Sequence, residues 1–347
     1  MRGVRILLLI LLCTTAADAQ SWSVQTTGID TNLRGVSAAF TGDANGADIA
    51  TIWASGSNGV ILQSKDAGKT WKRLHVEGGD ALDFRSIQAF DAKTAYVMSS
   101  GEGEKSRIYK TTDGGETWKL QFTDKRAAFF LDAMVCISQK QCYAISDPVD
   151  GKFLLVATPD GERWRELPRA DMPAALPAEG AFAASGTCLA IYAKREIYFA
   201  TGGPAARVFH SPDLGGTWTV VETPIASGNA SSGNFSITRQ GDTVILAGGD
   251  YKDVDRSDRT VAYSLNRGAT WTLAAAPPRG FRSAVASLDG KTLAAVGPNG
   301  EDISDDRGEH WTSIGSLDLN TLVVLDRLNA WAAGPKGTIA RWIPSKN

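Results

Sequence analysis

The sequence predicts an all-β protein: a seven-bladed β-propeller whose ring is closed by its own N-terminal strand. Three observations carry that expectation. A turn string ending in tryptophan recurs along the chain, seven pairs of apolar strands separate its copies, and the two chain ends supply what one unit lacks. The string is Ser64-Lys65-Asp66-Ala67-Gly68-Lys69-Thr70-Trp71, and it returns at Thr111 to Trp118 and at Ser211 to Trp218. Weaker copies run from Ser264 to Trp271 and from Ser304 to Trp311, and a sixth, Thr158 to Trp164, is one residue short. The tryptophans lie 47, 46, 54, 53 and 40 residues apart. A period of this size is that of a four-stranded propeller blade.

Each position of the string has a physical reason. A strand ends at Ser or Thr, and the carboxylate two residues on accepts backbone N–H groups inside the turn. The glycine takes a positive φ at little steric cost, and Thr-Trp begins the returning strand. The indole then fills space between layers with its N–H at a rim. The string resembles the Asp-box of the bacterial neuraminidase repeat, S-x-D-x-G-x-T-W. Asp66, Asp113, Asp160, Asp213, Asn266 and Asp306 are accordingly read as turn residues, not as ligand sites.

Between boxes the content repeats. Innermost strands are expected at 33–40, 83–90, 129–137, 181–191, 234–239, 281–288 and 322–326. Second strands, ending in small residues, come next at 50–56, 94–101, 142–147, 196–203, 243–250, 292–297 and 329–334. Seven units with six boxes leave one fourth strand missing. The last unit stops at a third strand, Gly337 to Trp342, while Ser21-Trp22-Ser23-Val24-Gln25-Thr26 matches the strand that begins at each box tryptophan. The N-terminal segment is therefore expected to complete the last blade and remove an open edge. Six blades with a frayed tail is the alternative count.

The first nineteen residues read as a secretory signal: Arg2 and Arg5, an apolar stretch from Ile6 to Leu12, and Ala17-Asp18-Ala19 as a cleavage site. The chain is thus expected to be exported, periplasmic or extracellular, as one propeller over residues 20–347. Lipidation at Cys13 would require a smaller residue than Leu12 before it. No later segment has the length of a membrane span. Removing the signal takes away two Arg and one Asp, moving the formal charge from −2 to −3. That balance, with no basic run, argues against nucleic acid and anionic lipid as partners.

Cys136 and Cys142 flank a polar turn and face each other across a hairpin; a disulfide and two small buried thiols are both open readings. Cys188 lies in an apolar run and reads as core. His75, His210 and His310 are scattered, so no zinc spacing exists. Lys252, Arg256 and Arg259 interrupt the acids Asp250, Asp253, Asp255 and Asp258, which argues against calcium. No metal or cofactor is expected, and a monomer is.

The intervals also resemble one family: exported propellers related to the photosystem II stability/assembly factor, many of them labelled oxidoreductase. The resemblance rests on Leu33-Arg34-Gly35, Asp83-Phe84-Arg85, Ser106 to Thr111, Ser146 to Gly151, Phe182 to Thr187, Gly249-Asp250-Tyr251 and Val296 to Gly300. It spans nearly the whole mature chain and implies a propeller that holds or helps assemble partners, with no catalytic residues to carry over. The oxidoreductase label has no support in the residues: no dinucleotide glycine fingerprint opens a helix, and no haem or flavin motif is present.

In such a ring, the loops leading into the innermost strands and those joining second to third strands open on one face. Arg34, Arg85 and Arg282 each enter an innermost strand at one register, and Arg107 and Arg207 begin third strands. Asp147, Asp150, Asp250 and Tyr251 fall in second-to-third loops, and Asp83 and Glu179 in the loops that enter innermost strands. Arginines at equivalent positions suit a carboxylate or phosphate, although the same arginines and acids can brace one another. The expected function is a non-catalytic interaction or assembly scaffold with an anion-binding arginine face, taking a protein partner or a small anionic ligand. The alternative is a glycoside hydrolase: the layout resembles the sialidases, which set an arginine cluster beside Asp, Tyr and Glu.

Overall fold

The computed structural model describes residues 20–42 and 48–345; the signal segment and Cys13 lie outside the described residues. Seven antiparallel sheets form a ring. Their innermost strands are Leu33–Gly42, Asp83–Ala89, Leu131–Cys136, Leu189–Tyr192, Asn229–Gln240, Ala284–Ser287 and Thr321–Asp326, which define blades 1 to 7. Innermost strands touch those of neighbouring blades, as the axis of a propeller requires.

The ring closes as the chain ends predict. Ser21–Thr26 pairs antiparallel with Thr338–Ile343, from Ser21 opposite Ile343 to Thr26 opposite Thr338. Trp22 and Trp342 meet edge to face at 5.3 Å and are buried among Leu319, Leu322, Ala294 and Val296 of blades 6 and 7. The closing strand thus joins a hydrophobic seam between two blades as well as satisfying an edge.

The box turns repeat one hydrogen-bond pattern. Ser64 Oγ donates to Asp66 Oδ1 (2.7 Å) and accepts from Gly68 N (2.8 Å), while Asp66 accepts from Thr70 N (2.8 Å) and Thr70 Oγ1 (2.6 Å). Trp71 Nε1 closes back on Gly68 O at 3.1 Å. Asn266 reproduces this with its amide, and His310 Nδ1 lies 2.7 Å from Asp306 Oδ2 where Thr stands elsewhere. In the short copy, Asp160 binds the N–H groups of Glu162 and Arg163, and Trp164 donates to Gln121 of the neighbouring blade. Cys136 and Cys142 are joined by a disulfide across their hairpin, and Cys188 is free and buried.

Blade 4 departs from expectation. Its innermost strand begins at Leu189, not at Ala181, and residues 181–187 leave the sheet. They cross the axis instead: Ala183 O accepts from Arg85 Nη1 of blade 2 (3.2 Å), Ser185 O from Thr321 Oγ1 of blade 7 (2.9 Å), and Thr187 O from Ile237 N of blade 5 (3.0 Å). Phe182 stacks flat on Phe235 at 3.8 Å. This is possible because Gly202 and Gly233 meet beneath the ring. A Cβ on Gly202 would lie 2.4 Å from Phe182 and 2.5 Å from Ser232 O. The second strand of blade 4 likewise ends early, at Ala200, and Gly202–Gly203 pairs into blade 5.

Candidate functional site

The crossing segment divides the axial channel in two. On one side a cavity of about 450 Å³ is lined by the middles of all seven innermost strands and floored by Ser185, Gly186 and Thr187. On the other, a cavity of about 590 Å³ opens on the face of the strand-leading loops, floored by Ala181 to Ala184. Strand direction places the boxes at the opposite end of the ring from this second cavity. Their acids do not line it, in keeping with a structural role.

A β-bulge in each of four blades aims a side chain into the second cavity. The ladder skips one residue between Leu33 and Gly35, Phe84 and Ser86, Leu131 and Ala133, and Asn234 and Ser236. The skipped residues are Arg34, Arg85, Asp132 and Phe235, and all four line the cavity. Bulges re-aim side chains in this way. Going round the ring, blades 1 and 2 present Arg34 and Arg85, and blade 3 presents Asp132 and Asp147. Blades 5 and 6 present an apolar wall of Phe235, Tyr251, Val254 and Phe281.

Arg85 is half engaged: its Nε donates to Asp83 Oδ2 at 2.7 Å, and Asp83 also accepts from Ser57 Oγ. Arg34 makes no ion pair among the described residues. Burial, and then Arg85, lower its pKa, against the raising effect of Asp83 and Asp318. Asp132 is 1% exposed, and its Oδ2 has no hydrogen-bond partner among the described residues. Burial, followed by the charge of Asp147, pushes its carboxyl well above the usual range, with Arg85 opposing. Asp147 accepts from Ala181 N (2.9 Å), yet burial still raises it to about 6.

The other expected site residues lie elsewhere. Arg282 is a correction to the expected trio: it is fully buried, with Nε bonded to Asp302 Oδ2 at 2.6 Å, Nη2 ion-paired with the same carboxylate, and Nη1 bonded to Asn299 Oδ1 at 2.6 Å. Glu179 is enclosed as well. It accepts from Arg207 Nε (2.8 Å), Thr201 Oγ1 (2.6 Å) and Leu176 N (2.8 Å), so it and Arg207 brace the loop. Arg107 bonds Glu104 O and Tyr109 Oη and does not line the cavity. Asp150 sits at an exposed hairpin tip with φ of 56°, and Asp250 caps its own turn through Lys252 N and Asn229. Tyr251 stays at the cavity rim, 46% exposed and edge-on to Phe235. Asp132 and Phe235 are not among the residues expected from the sequence, yet they hold the register of Arg34 and Arg85 in the aligned repeats, a signal that residue type alone does not carry.

No curated protein sequence matches the chain. Among solved structures, it is similar to YCF48 bound to D1 peptide, at 15% identity and a TM-score of 0.66, with 95% of this chain and 99% of that one covered. YCF48 from Cyanidioschyzon merolae gives 14% identity and a TM-score of 0.66 over the same shares. The extracellular domain of the hybrid two-component system BT4673 from B. thetaiotaomicron gives 12% and 0.61, covering 95% of this chain and 40% of that one. At these identities the likeness is one of fold. No helix among the described residues is long and apolar enough to cross a membrane. The family model of the DUF6242 beta propeller domain matches residues 16–289, and the chain belongs to that family.

Proposed function

We propose that the chain is an exported, non-catalytic interaction scaffold whose axial cavity captures an anionic group of a partner. Arg34 carries this reading: a half-buried guanidinium without an ion pair among the described residues, beside the partly free Arg85 in a cavity of about 590 Å³. Two neighbouring guanidiniums repel each other, and an incoming carboxylate or phosphate relieves that while accepting bidentate bonds. Burial pushes the Asp132 carboxyl well above the usual range, which weakens it as a competitor for the arginines. The YCF48 complex with D1 peptide supports a protein as the partner. The Cys136–Cys142 bridge suits an oxidising compartment. The second reading, a glycoside hydrolase, would draw on Asp132, Asp147 and Tyr251, which line the same cavity, and not on Glu179, which Arg207 and Thr201 enclose.

The test is partner capture by immobilised mature protein from the native envelope, comparing wild type with Arg34→Ala. The variant should stay folded and lose roughly 10–100-fold in capture, the range for a charged hydrogen bond. Wild-type capture should weaken as salt rises. Undiminished capture by folded Arg34→Ala overturns the reading. Sugar release from a sialoside panel that Tyr251→Phe abolishes would replace it with the hydrolase.

A further inference from the structure

Besides its arginines the axial cavity has two chemically distinct parts, an acidic one and an aromatic one, which an anion on the arginines would leave unused. Asp132 lines the same space with a buried oxygen that nothing among the described residues satisfies. Opposite stands an aromatic wall: Phe182 and Phe235 are stacked, and Phe281 meets Phe235 edge-on at 4.7 Å. No ion pair within 4.0 Å joins Arg34 or Arg85 to Asp132 or Asp147 among the described residues. Arg85 is nevertheless near enough to act on the charge of Asp132. The arginines of blades 1 and 2 and the acids of blade 3 therefore stand side by side on the cavity wall without pairing, and the apolar surface of blades 5 and 6 lies on another side.

We propose that this cavity binds an apolar α-amino acid in its zwitterionic form, with the carboxylate on Arg34 and Arg85, the ammonium on Asp132 and Asp147, and the side chain against Phe182, Phe235 and Phe281. An α-amino acid carries its two charges on one carbon and its side chain to one side, which is the arrangement these three walls present. The cavity volume falls within the roughly 300–1,000 Å³ typical of small-molecule sites. The orphaned carboxyl gains a purpose. Burial and the charge of Asp147 favour the protonated form of Asp132, and an ammonium set beside it favours the carboxylate, so that a proton displaced on binding leaves to solvent. Arg85 and the buried Cys188 are the other ionisable groups near Asp132. An unpaired polar group of this kind rejects analogues that leave it unsatisfied.

The inference rests on the proposed function only in assigning the anion to Arg34 and Arg85, and calorimetry on the mature protein separates the two. The probes are L-phenylalanine, 3-phenylpropionate, which lacks the ammonium, and phenethylamine, which lacks the carboxylate. Phenylalanine should bind at least tenfold more tightly than either analogue. Asp132→Asn, which keeps the shape of the side chain, should remove most of the advantage over 3-phenylpropionate, whereas Arg34→Ala should weaken both acids. If phenylpropionate binds in an Arg34-dependent way and as tightly as phenylalanine, the zwitterion site is overturned and the anionic face stands. Absence of phenylalanine binding to wild type also overturns it, and partner capture then decides the anionic face alone. The wild-type comparison needs no variant to fold.

Discussion

Blades 1 and 2 and blade 6 carry the same local pattern, an apolar residue, an arginine and a small residue, yet use the arginine in opposite ways. Arg34 stands between Leu33 and Gly35, Arg85 between Phe84 and Ser86, and Arg282 between Phe281 and Ser283. The first two are bulged into the axial cavity, and the third turns into its own blade. The cause is one position on the third strand. Two residues before the first box residue, blade 1 has Leu62 and blade 2 has Tyr109, whereas blade 6 has Asp302, only 1% exposed. An arginine beside a buried carboxylate is drawn to it, because leaving that charge alone in the interior is costly. Where the third strand offers no carboxylate, the guanidinium turns to the axial cavity, with Asp83 holding one side of Arg85. Equivalent register therefore does not mean equivalent chemistry.

Substitution breaks the comparison most sharply at blade 6. Arg282→Ala leaves Asp302 buried and unpaired, and should cost about 3–5 kcal/mol of stability. Arg34→Ala removes a guanidinium that has no ion pair among the described residues, only the more distant charges of Asp83 and Asp318, and should change stability by less than about 1 kcal/mol. Urea midpoints of the two variants give the contrast directly. A paired change, Arg282→Met with Asp302→Leu, should recover most of the loss, since apolar residues of similar size often replace a buried pair without penalty. Equal losses at Arg34 and Arg282 would mean that Arg34 is a brace as well.

The repeats made the ring legible, and what they hid was whatever a single blade does alone. The box string, the small-ended second strands and the complementary chain ends lead directly to the seven sheets and to the pairing of Ser21–Thr26 with Thr338–Ile343. The run Ala181 to Ile191 misleads because an apolar segment packed across the axis has the composition of a strand. Only its contacts with Arg85, Thr321 and Phe235, on three other blades, set it apart, and these are not local in sequence. Half of the cavity was readable as arginines at one register. Asp132 and Phe235 share that register, and Asp302 interrupts an otherwise apolar strand type. Both signals sit in the aligned repeats, but their meaning depends on which neighbour each side chain meets.

The cavity acids give a second way to sharpen the contrast, through pH. The Asp147 pKa is raised to about 6 by burial. A carboxyl raised on folding binds its proton more tightly in the native state than in the unfolded one. The protein is then most stable, with respect to this group, below the unfolded value near 4, and loses stability as pH climbs towards 6. Asp147→Asn keeps an oxygen for Ala181 N and cannot ionise. It should raise the melting temperature at pH 7, by the equivalent of at most about 3 kcal/mol, and the advantage should vanish near pH 4. A gain independent of pH would show that Asp147 is not ionising against burial.

Box acids should behave with the opposite sign, which makes Asp66 the control from the far end of the ring. Burial raises its pKa, but bonds from Thr70 Oγ1, Thr70 N and Ser64 Oγ outweigh that, and the net shift is downward. A carboxylate lowered on folding contributes stability that is complete above the unfolded value near 4 and is lost as pH falls through the folded one. Asp66→Ala should therefore cost roughly 1–3 kcal/mol at pH 7, because Thr70 N and two hydroxyls lose their acceptor, and less in acid. Melting curves at pH 7 and pH 3 test the sign. Capture by the folded fraction should equal that of wild type, since the turn lies at the other end of the ring from the arginines. A loss of capture at full folding would mean that the two ends communicate through the segment crossing the axis. Ala67, the residue beside Asp66, is where such coupling would be sought: its carbonyl accepts from Gln25 Nε2 of the closing strand at 3.1 Å, tying the box to the ring closure.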